Sequence, residues 1–277
     1  MERMPKPALQ SIHLYPVKSI AGSGPGEAVV EPWGLAGDRR WLLVDAEGRQ
    51  ITQRQQRTLA LAHAEGLPGG GLGLTAPGRK PLTVEVPASG ETITVEVWKD
   101  EVEAVPVGRA ADEWFSGYLG AECRLVYLDA PEKRRPIDPE YSLPGETVSF
   151  ADGFPLLLTT TSSLDALNSL IAQGDHADEG PLPMNRFRPN VVVDGTAPWA
   201  EDDWRRVRIG EVVFEVAKPC SRCVVTTTNQ RTAERGKEPL RTLARHRRFG
   251  DQLVFGQNLI PRGVGTIRIG DPFEILG

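Results

Sequence analysis

Arg206-Val207-Arg208-Ile209-Gly210-Glu211-Val212-Val213-Phe214-Glu215-Val216 decides the fold class. Apolar and polar residues alternate on both sides of the Gly210 turn, which is the pattern of two strands joined as a hairpin. The chain then runs into Lys218-Pro219-Cys220-Ser221-Arg222-Cys223-Val224-Val225-Thr226-Thr227, whose β-branched tail favours another strand. Further on, Val264-Gly265-Thr266-Ile267-Arg268-Ile269, Gly270-Asp271 and Phe273-Glu274-Ile275-Leu276 read as another hairpin with the same Arg-Ile-Gly-acid turn. Two copies indicate a recurring turn in a barrel and not a solenoid repeat. Towards the N-terminus, Leu82–Val86 and Thr92–Val97 alternate around a turn, Trp41–Val44 returns through Gln50–Thr52, and Ile12–Tyr15 is a strand ended by Pro16. Helices are expected at Asp112–Leu119, stopped by Gly120, at Ser162–Ala172 and at Pro239–Arg247. The polar stretch Asp129–Pro136 reads as a boundary, giving one part over 8–128 and another over 129–277. Strands outnumber helices without alternating regularly with them, so the class is α+β, β-dominated.

The 277 residues suffice for a sizeable core, and 40% hydrophobic with 25% charged residues is a globular balance. A net charge of −5 supplies no overall basic field for nucleic acid or an anionic membrane. The start of the chain lacks an apolar run long enough for a signal peptide, and no run is long enough to span a bilayer. Three cysteines form no disulfide framework. These readings predict a cytoplasmic protein with reduced thiols and neither a nucleic-acid nor a membrane partner.

The Cys220/Cys223 pair is where chemistry enters. A structural zinc needs four ligands, but only Cys123 remains, and the four histidines are scattered. A thioredoxin-type pair opens a helix, whereas a strand is expected here. Two buried cysteines in a core strand are the plain alternative, and the neighbouring cations Lys218 and Arg222 weaken it. Other cations lie far away in sequence. Lys18 and Ser19 follow a strand-breaking proline in a turn that can clasp an anion, and Arg39 leads a buried strand. Arg186 and Arg188, on an extended segment, would share one face and repel each other unless an anion lay near. Gly153 permits close approach of the backbone to a ligand. Asn258 belongs to an amide-rich Phe255-Gly256-Gln257-Asn258 loop suited to heterocycle edges. No Walker loop, G-x-S-x-G or H-E-x-x-H occurs.

Together these motifs resemble the molybdenum cofactor sulfurase C-terminal (MOSC) domain family, and more narrowly the amidoxime-reducing components and their bacterial relatives. Tyr15-Pro16-Val17-Lys18-Ser19, Gly37-Asp38-Arg39 and Ile51-Thr52-Gln53-Arg54-Gln55 are similar to the family's N-terminal β-barrel part. Phe187-Arg188-Pro189-Asn190, Cys220-Ser221-Arg222-Cys223, Phe255-Gly256-Gln257 and Gly265–Pro272 are similar to its MOSC β-barrel. The resemblance implies a molybdenum–molybdopterin cofactor, with Cys223 as the protein's metal ligand and Cys220 as a neighbour. It implies that Lys18, Ser19 and Arg39 hold the phosphate or pterin side, that Arg188 and Asn190 meet the pterin, and that Ser221 and Arg222 frame the metal. Asn258 stands where relatives can carry tyrosine. Phe154 replaces a small polar residue, so Gly153 and Phe154 would contribute backbone contacts. Asp152 matches an acid near the metal, a proton donor or solvent organiser. The implied reaction removes oxygen from a small N-hydroxylated compound with two protons and two electrons. The sequence ends without the clustered cysteines of an iron–sulfur domain, so the electrons are expected from a separate ferredoxin-, flavodoxin- or cytochrome-like protein. The alternative within the family is a cofactor-binding or sulfur-carrier module without redox turnover. Pyridoxal phosphate, which the wider family's vocabulary also contains, is not expected.

Overall fold

The structure is a computed structural model that describes residues 6–88 and 90–277. In chain order its first strands are β1 (Ala8–Ile12), β2 (Glu27–Glu31), β3 (Gly34–Leu35), β4 (Trp41–Val44), β5 (His63–Gly66), β6 (Leu72–Thr75), β7 (Leu82–Val84), β8 (Ile93–Val97) and β9 (Asp100–Pro106). Helix α1 (Arg109–Leu119), β10 (Arg124–Tyr127), the single-turn α2 (Pro131–Arg134), β11 (Leu156–Thr160), α3 (Thr161–Ala172) and β12 (Val191–Asp194) follow. The last third holds β13 (Arg206–Ile209), β14 (Val212–Ser221), α4 (Leu240–His246), β15 (Arg248–Phe249), β16 (Gln252–Pro261), β17 (Gly265–Arg268) and β18 (Phe273–Ile275).

The largest sheet runs β1-β12-β11-β16-β14-β13-β18, with β15 added onto β16. Its two ends meet: Leu9 donates to the Asp271 carbonyl (2.9 Å) and Phe273 to the Pro7 carbonyl (2.9 Å). The sheet thereby nearly closes into a barrel, which removes the unpaired edges that an open sheet would expose. Leu158, Val193, Val207, Phe214 and Leu259 fill the interior together with Leu9, Ile12, Val30 and Leu35 from the N-terminal strands. A second, half-barrel region is made by β4-β10-β9-β8 and β5-β6-β7, and α1 packs Trp114 and Phe115 against it. The chain is therefore β-dominated α+β, with four α-helices among the described residues, each a turn or a few turns long.

The expected β13–β14 hairpin is present, with Ile209 opposite Val212 and Gly210 at φ +56° in the turn. Several other pairings differ from expectation. β17 pairs with β2 and β18 with β13, so the second Arg-Ile-Gly-acid turn joins two sheets and closes no hairpin. β7 pairs with β6, and β8 with β9. The return of Trp41–Val44 through Gln50 is a single bridge. The first strand ends at Ile12, earlier than the Pro16 break suggests. The run after Cys223 is not a strand: Val224–Thr227 forms a 3₁₀ turn. Its hydroxyls fold it back, Thr226 Oγ1 donating to the Cys223 carbonyl and Thr227 Oγ1 to the Val224 carbonyl, both at 2.8 Å. The 128/129 division is crossed by two pairings, β1 with β12 and β2 with β17.

Candidate active site

β14 ends at Ser221, and the chain turns at Cys223 into the 3₁₀ segment, so the cysteine pair straddles a strand end. Cys220 and Cys223 are both free and half-buried. They open onto a cleft of about 870 Å³, solvent-open mouth included. The structure brings all of Lys18, Ser19, Arg39, Asp152, Gly153, Phe154, Arg188, Asn190, Ser221, Arg222, Cys223 and Asn258 to its walls.

The two cysteines differ in surroundings. Arg222 Nη1 donates to Cys220 Sγ at 2.8 Å, yet burial dominates and pushes the Cys220 thiol up from its ordinary value. The Cys223 thiol has no hydrogen-bond partner among the described residues. Arg222 therefore serves the first thiol, not both. Lys218 lies over the rings of Tyr141 (4.2 Å) and Phe154 (5.3 Å) instead of beside either sulfur. Arg222 Nη2 donates to the Phe187 carbonyl at 2.7 Å, and its Nε is buried without a partner.

Six cations line the cleft, Lys18, Arg39, Arg54, Arg186, Arg188 and Arg222, against the single carboxylate of Asp152. In a chain of net charge −5 this is a strong local reversal. Lys18 is 4% exposed and donates to the Phe150 carbonyl (2.8 Å) and to Asp152 Oδ1 (2.6 Å). Burial lowers its ammonium to about 8, aided by Arg135 and Arg39 and opposed by Asp152. Desolvation alone would raise Asp152, but Lys18, Arg39 and Arg54 outweigh it and hold the carboxyl well below the usual carboxylate range. Asp152 keeps 77% of its side chain open to the cleft, with protein mass around the rest, and is an acceptor at neutral pH. Arg39 and Arg188 both stack on the Tyr15 ring, at 4.4 and 4.1 Å. Arg39 is held by the buried Asp38 carboxylate (2.5 Å) and Arg188 by the Ile20 carbonyl (2.8 Å). Burial lowers Arg188 to about 10, leaving it protonated at neutral pH.

Arg186 and Arg188 do not share one face of an extended segment. Met184–Arg186 is a 3₁₀ turn that sends Arg186 to the Thr226 carbonyl (3.3 Å), and Arg188 takes φ +53° immediately before a proline. Of the six non-glycine residues at positive φ among the described residues, four line this cleft: Ser19, Arg39, Trp98 and Arg188. Such backbone costs about 1–3 kcal/mol per residue and concentrates at functional sites. Asn190 has its amide spent on backbone, accepting from Leu157 N (3.2 Å) and donating to the His13 carbonyl (3.3 Å). Asn258, on β16, makes no such bond and is half-buried.

Sequence reasoning passed over Trp98, whose Nε1 is buried without a partner and whose ring carries the Arg54 guanidinium at 4.3 Å. It also passed over Arg135, read only as part of a polar boundary. This 3%-exposed residue donates to the Ser149, Ala151 and Asp152 carbonyls at 3.2, 2.5 and 3.0 Å and thereby shapes the loop that presents Asp152. Neither residue sits in a local pattern that marks it. Among the described residues no cluster of three or more His, Cys, Asp or Glu could hold a metal by itself, so a metal here must bring ligands of its own. A cofactor carrying a phosphate and sulfur ligands fits this donor set: a free thiol, a cation excess, and unpartnered donors on Arg222 and Trp98.

The model for the MOSC N-terminal beta barrel domain matches residues 6–122, and that for the MOSC domain matches residues 145–274. Mitochondrial amidoxime-reducing component 1 of Homo sapiens is 32% identical over 282 residues, covering 95% of this chain and 81% of its own length. Mitochondrial amidoxime reducing component 2 of Rattus norvegicus is 30% identical, covering 95% and 82%. Molybdenum cofactor sulfurase of Oryza sativa subsp. japonica is 31% identical over 90% of this chain, which spans 32% of that longer protein. The cytoplasmic location expected from the lack of an export signal is overturned by the human and rat relatives, both mitochondrial components by name. No helix among the described residues is long and apolar enough to cross a membrane. With both domain models matched in order and full-length relatives at about a third identity, the chain belongs to the MOSC-domain family, alongside the amidoxime-reducing components.

Proposed function

We propose that this chain is a molybdenum-cofactor-dependent reductase of small N-hydroxylated compounds, drawing electrons from a separate redox protein. The observation that carries this reading is that six cations line the same cleft as one unpartnered thiol, Cys223, at a strand end. Relatives named as amidoxime-reducing components supply the substrate class. The balanced reaction takes an N–OH compound, two protons and two electrons to the N–H compound and water.

Cys223 would be the protein ligand to molybdenum. Lys18, Ser19 and Arg39 would hold the phosphate or pterin end, with Arg188 against the pterin and Ser221 and Arg222 framing the metal. When bound, the cofactor supplies the two-electron centre that accepts the substrate oxygen. Gly153 and Phe154 would offer backbone, and Asn258 a free amide. Asn190 would act indirectly, by tying the segment after Arg188 to β11 through Leu157 and to the segment after β1 through His13. Asp152, held ionised by its cationic neighbours, favours the solvent-organising role over that of proton donor: it would accept hydrogen bonds from the water that delivers both protons.

The test is metal analysis of protein made with cofactor biosynthesis intact, followed by amidoxime reduction with an artificial reductant. Stoichiometric molybdenum together with turnover is expected. Absence of molybdenum, or its retention in Cys223→Ala, rejects the assignment.

A further inference from the structure

Beside the cationic cleft lies a second, wider groove, and the two share Trp98, Asp152, Gly153 and Phe154 as a common wall. Its far side is a proline-rich loop, from Pro136 to Glu146, carrying Leu143 at 60% exposure. An exposed leucine and a half-buried aromatic ring thus line one groove and offer a ligand apolar contact. The Phe154 ring is held by a perpendicular contact with Tyr141 (5.9 Å, 75°) and by the Lys218 ammonium at 5.3 Å. It is thus a supported platform, one that also packs on the small cluster around Ile137 and Ile260. Gly153 puts no side chain on the wall shared by groove and cleft. A Cβ built there meets nothing within 4 Å, and the backbone is outside the left-handed region, so the fold itself does not require glycine at this position. What glycine leaves there is a stretch of shared wall without a side chain.

We propose that this groove seats the organic body of the substrate, and that it selects planar aromatic bodies, with the N–OH group reaching the cleft over Gly153. The inference rests on the reductase reading above and adds to it the residues that choose the substrate. The cationic cleft has its charge matched to an anionic cofactor, whereas the groove offers the apolar contact. Phe154 and Leu143 are its two specificity-determining side chains. Removing either apolar contact, or placing a charge there, is worth roughly 10-fold in discrimination.

The experiment compares kcat/KM for benzamidoxime and acetamidoxime in the molybdenum-loaded protein, in Phe154→Ser and in Leu143→Asp. Metal content and thermal melting are checked for each variant. The wild-type ratio of aromatic to aliphatic substrate is expected at about 10 or more, falling at least about 5-fold in each variant. A wild-type ratio near one, or a ratio unmoved by both substitutions, overturns the proposal. A loaded protein that reduces neither compound removes the reductase reading instead. The groove is then judged by ligand-detected NMR of benzamidoxime: binding lost in both variants supports an aromatic site there, and equal binding in all three proteins overturns it.

Discussion

At the scale of single residues, the two cysteines have opposite fates written into their neighbours. Cys220 has a guanidinium on its sulfur, while Cys223 has a free sulfur and a backbone spent on starting a 3₁₀ turn. Cys223→Ala should therefore cut molybdenum content by at least about 10-fold while shifting stability by less than about 0.5 kcal/mol, because its half-buried thiol makes no hydrogen bond. Cys220→Ala should keep the metal. Metal analysis and denaturant midpoints on the two variants read both outcomes. Lys18 gives a prediction with a sign. Its ammonium titrates at about 8, below the ordinary lysine value, because burial and nearby cations disfavour the charge. An anion binds the charged form, so binding above pH 8 must take up a proton. Affinity for a phosphate monoester, already dianionic above pH 7, should fall by up to about 10-fold per pH unit above 8. Lys18→Arg, whose guanidinium stays protonated, should flatten that limb in calorimetric titrations. The residues that hold these charges were legible as separate cations in the sequence. Trp98 and Arg135 were not, because what marks them is a positive φ in one case and a set of carbonyls in the other, neither visible as a motif.

At the scale of elements, alternation revealed strands but not their partners. Val264–Ile269 and Phe273–Leu276 each read as strands, yet one pairs with β2 and the other with β13. Period-2 patterning fixes which face is buried, whereas pairing follows the closure of the barrel, which is non-local. The Val-Val-Thr-Thr run failed for a local reason: threonine hydroxyls bonded to carbonyls three residues back stabilise a turn against strand propensity. The β16 strand shows how an element aims a side chain. Gly256 sits at φ +79°, and a Cβ there would lie 2.5 Å from the Leu158 carbonyl oxygen. The close crossing sets Gln257 and Asn258 opposite Leu158 and Leu157, next to the cleft. Gly256→Ala should cost at least about 2 kcal/mol, since both the φ and the contact must be relieved. The urea midpoint should drop without a change in m. An unchanged midpoint would mean the β11–β16 crossing is slack, and that Asn258 is not held by it.

At the scale of the whole molecule, the expected division into 8–128 and 129–277 meets a topology that weaves across it. β1 comes from the first part and completes a sheet of the second, while β17 of the second joins β2 and β3 of the first. β1, β2 and β3 bring Leu9, Ile12, Ala28, Val30 and Leu35 into the barrel interior. Their burial is worth on the order of 10 kcal/mol, comparable with the ~5–15 kcal/mol that holds a whole domain folded. The site is woven the same way. Lys18, Ser19 and Arg39 come from the first part, Arg188 and Cys223 from the second, and Arg235 donates to the Arg54 carbonyl (3.0 Å) to join the two rims. A fragment of residues 129–277 should accordingly lack cooperative unfolding, because its barrel has lost one edge strand and part of its filling. Fragment 1–128 added in trans should restore a single transition, and the restored complex should recover phosphate-monoester binding that neither fragment has alone. Circular dichroism melts and titration calorimetry on the fragments and their mixture decide it. A fragment 129–277 that melts cooperatively by itself would show that the N-terminal strands only line the barrel, and that the two parts met first as separate folds.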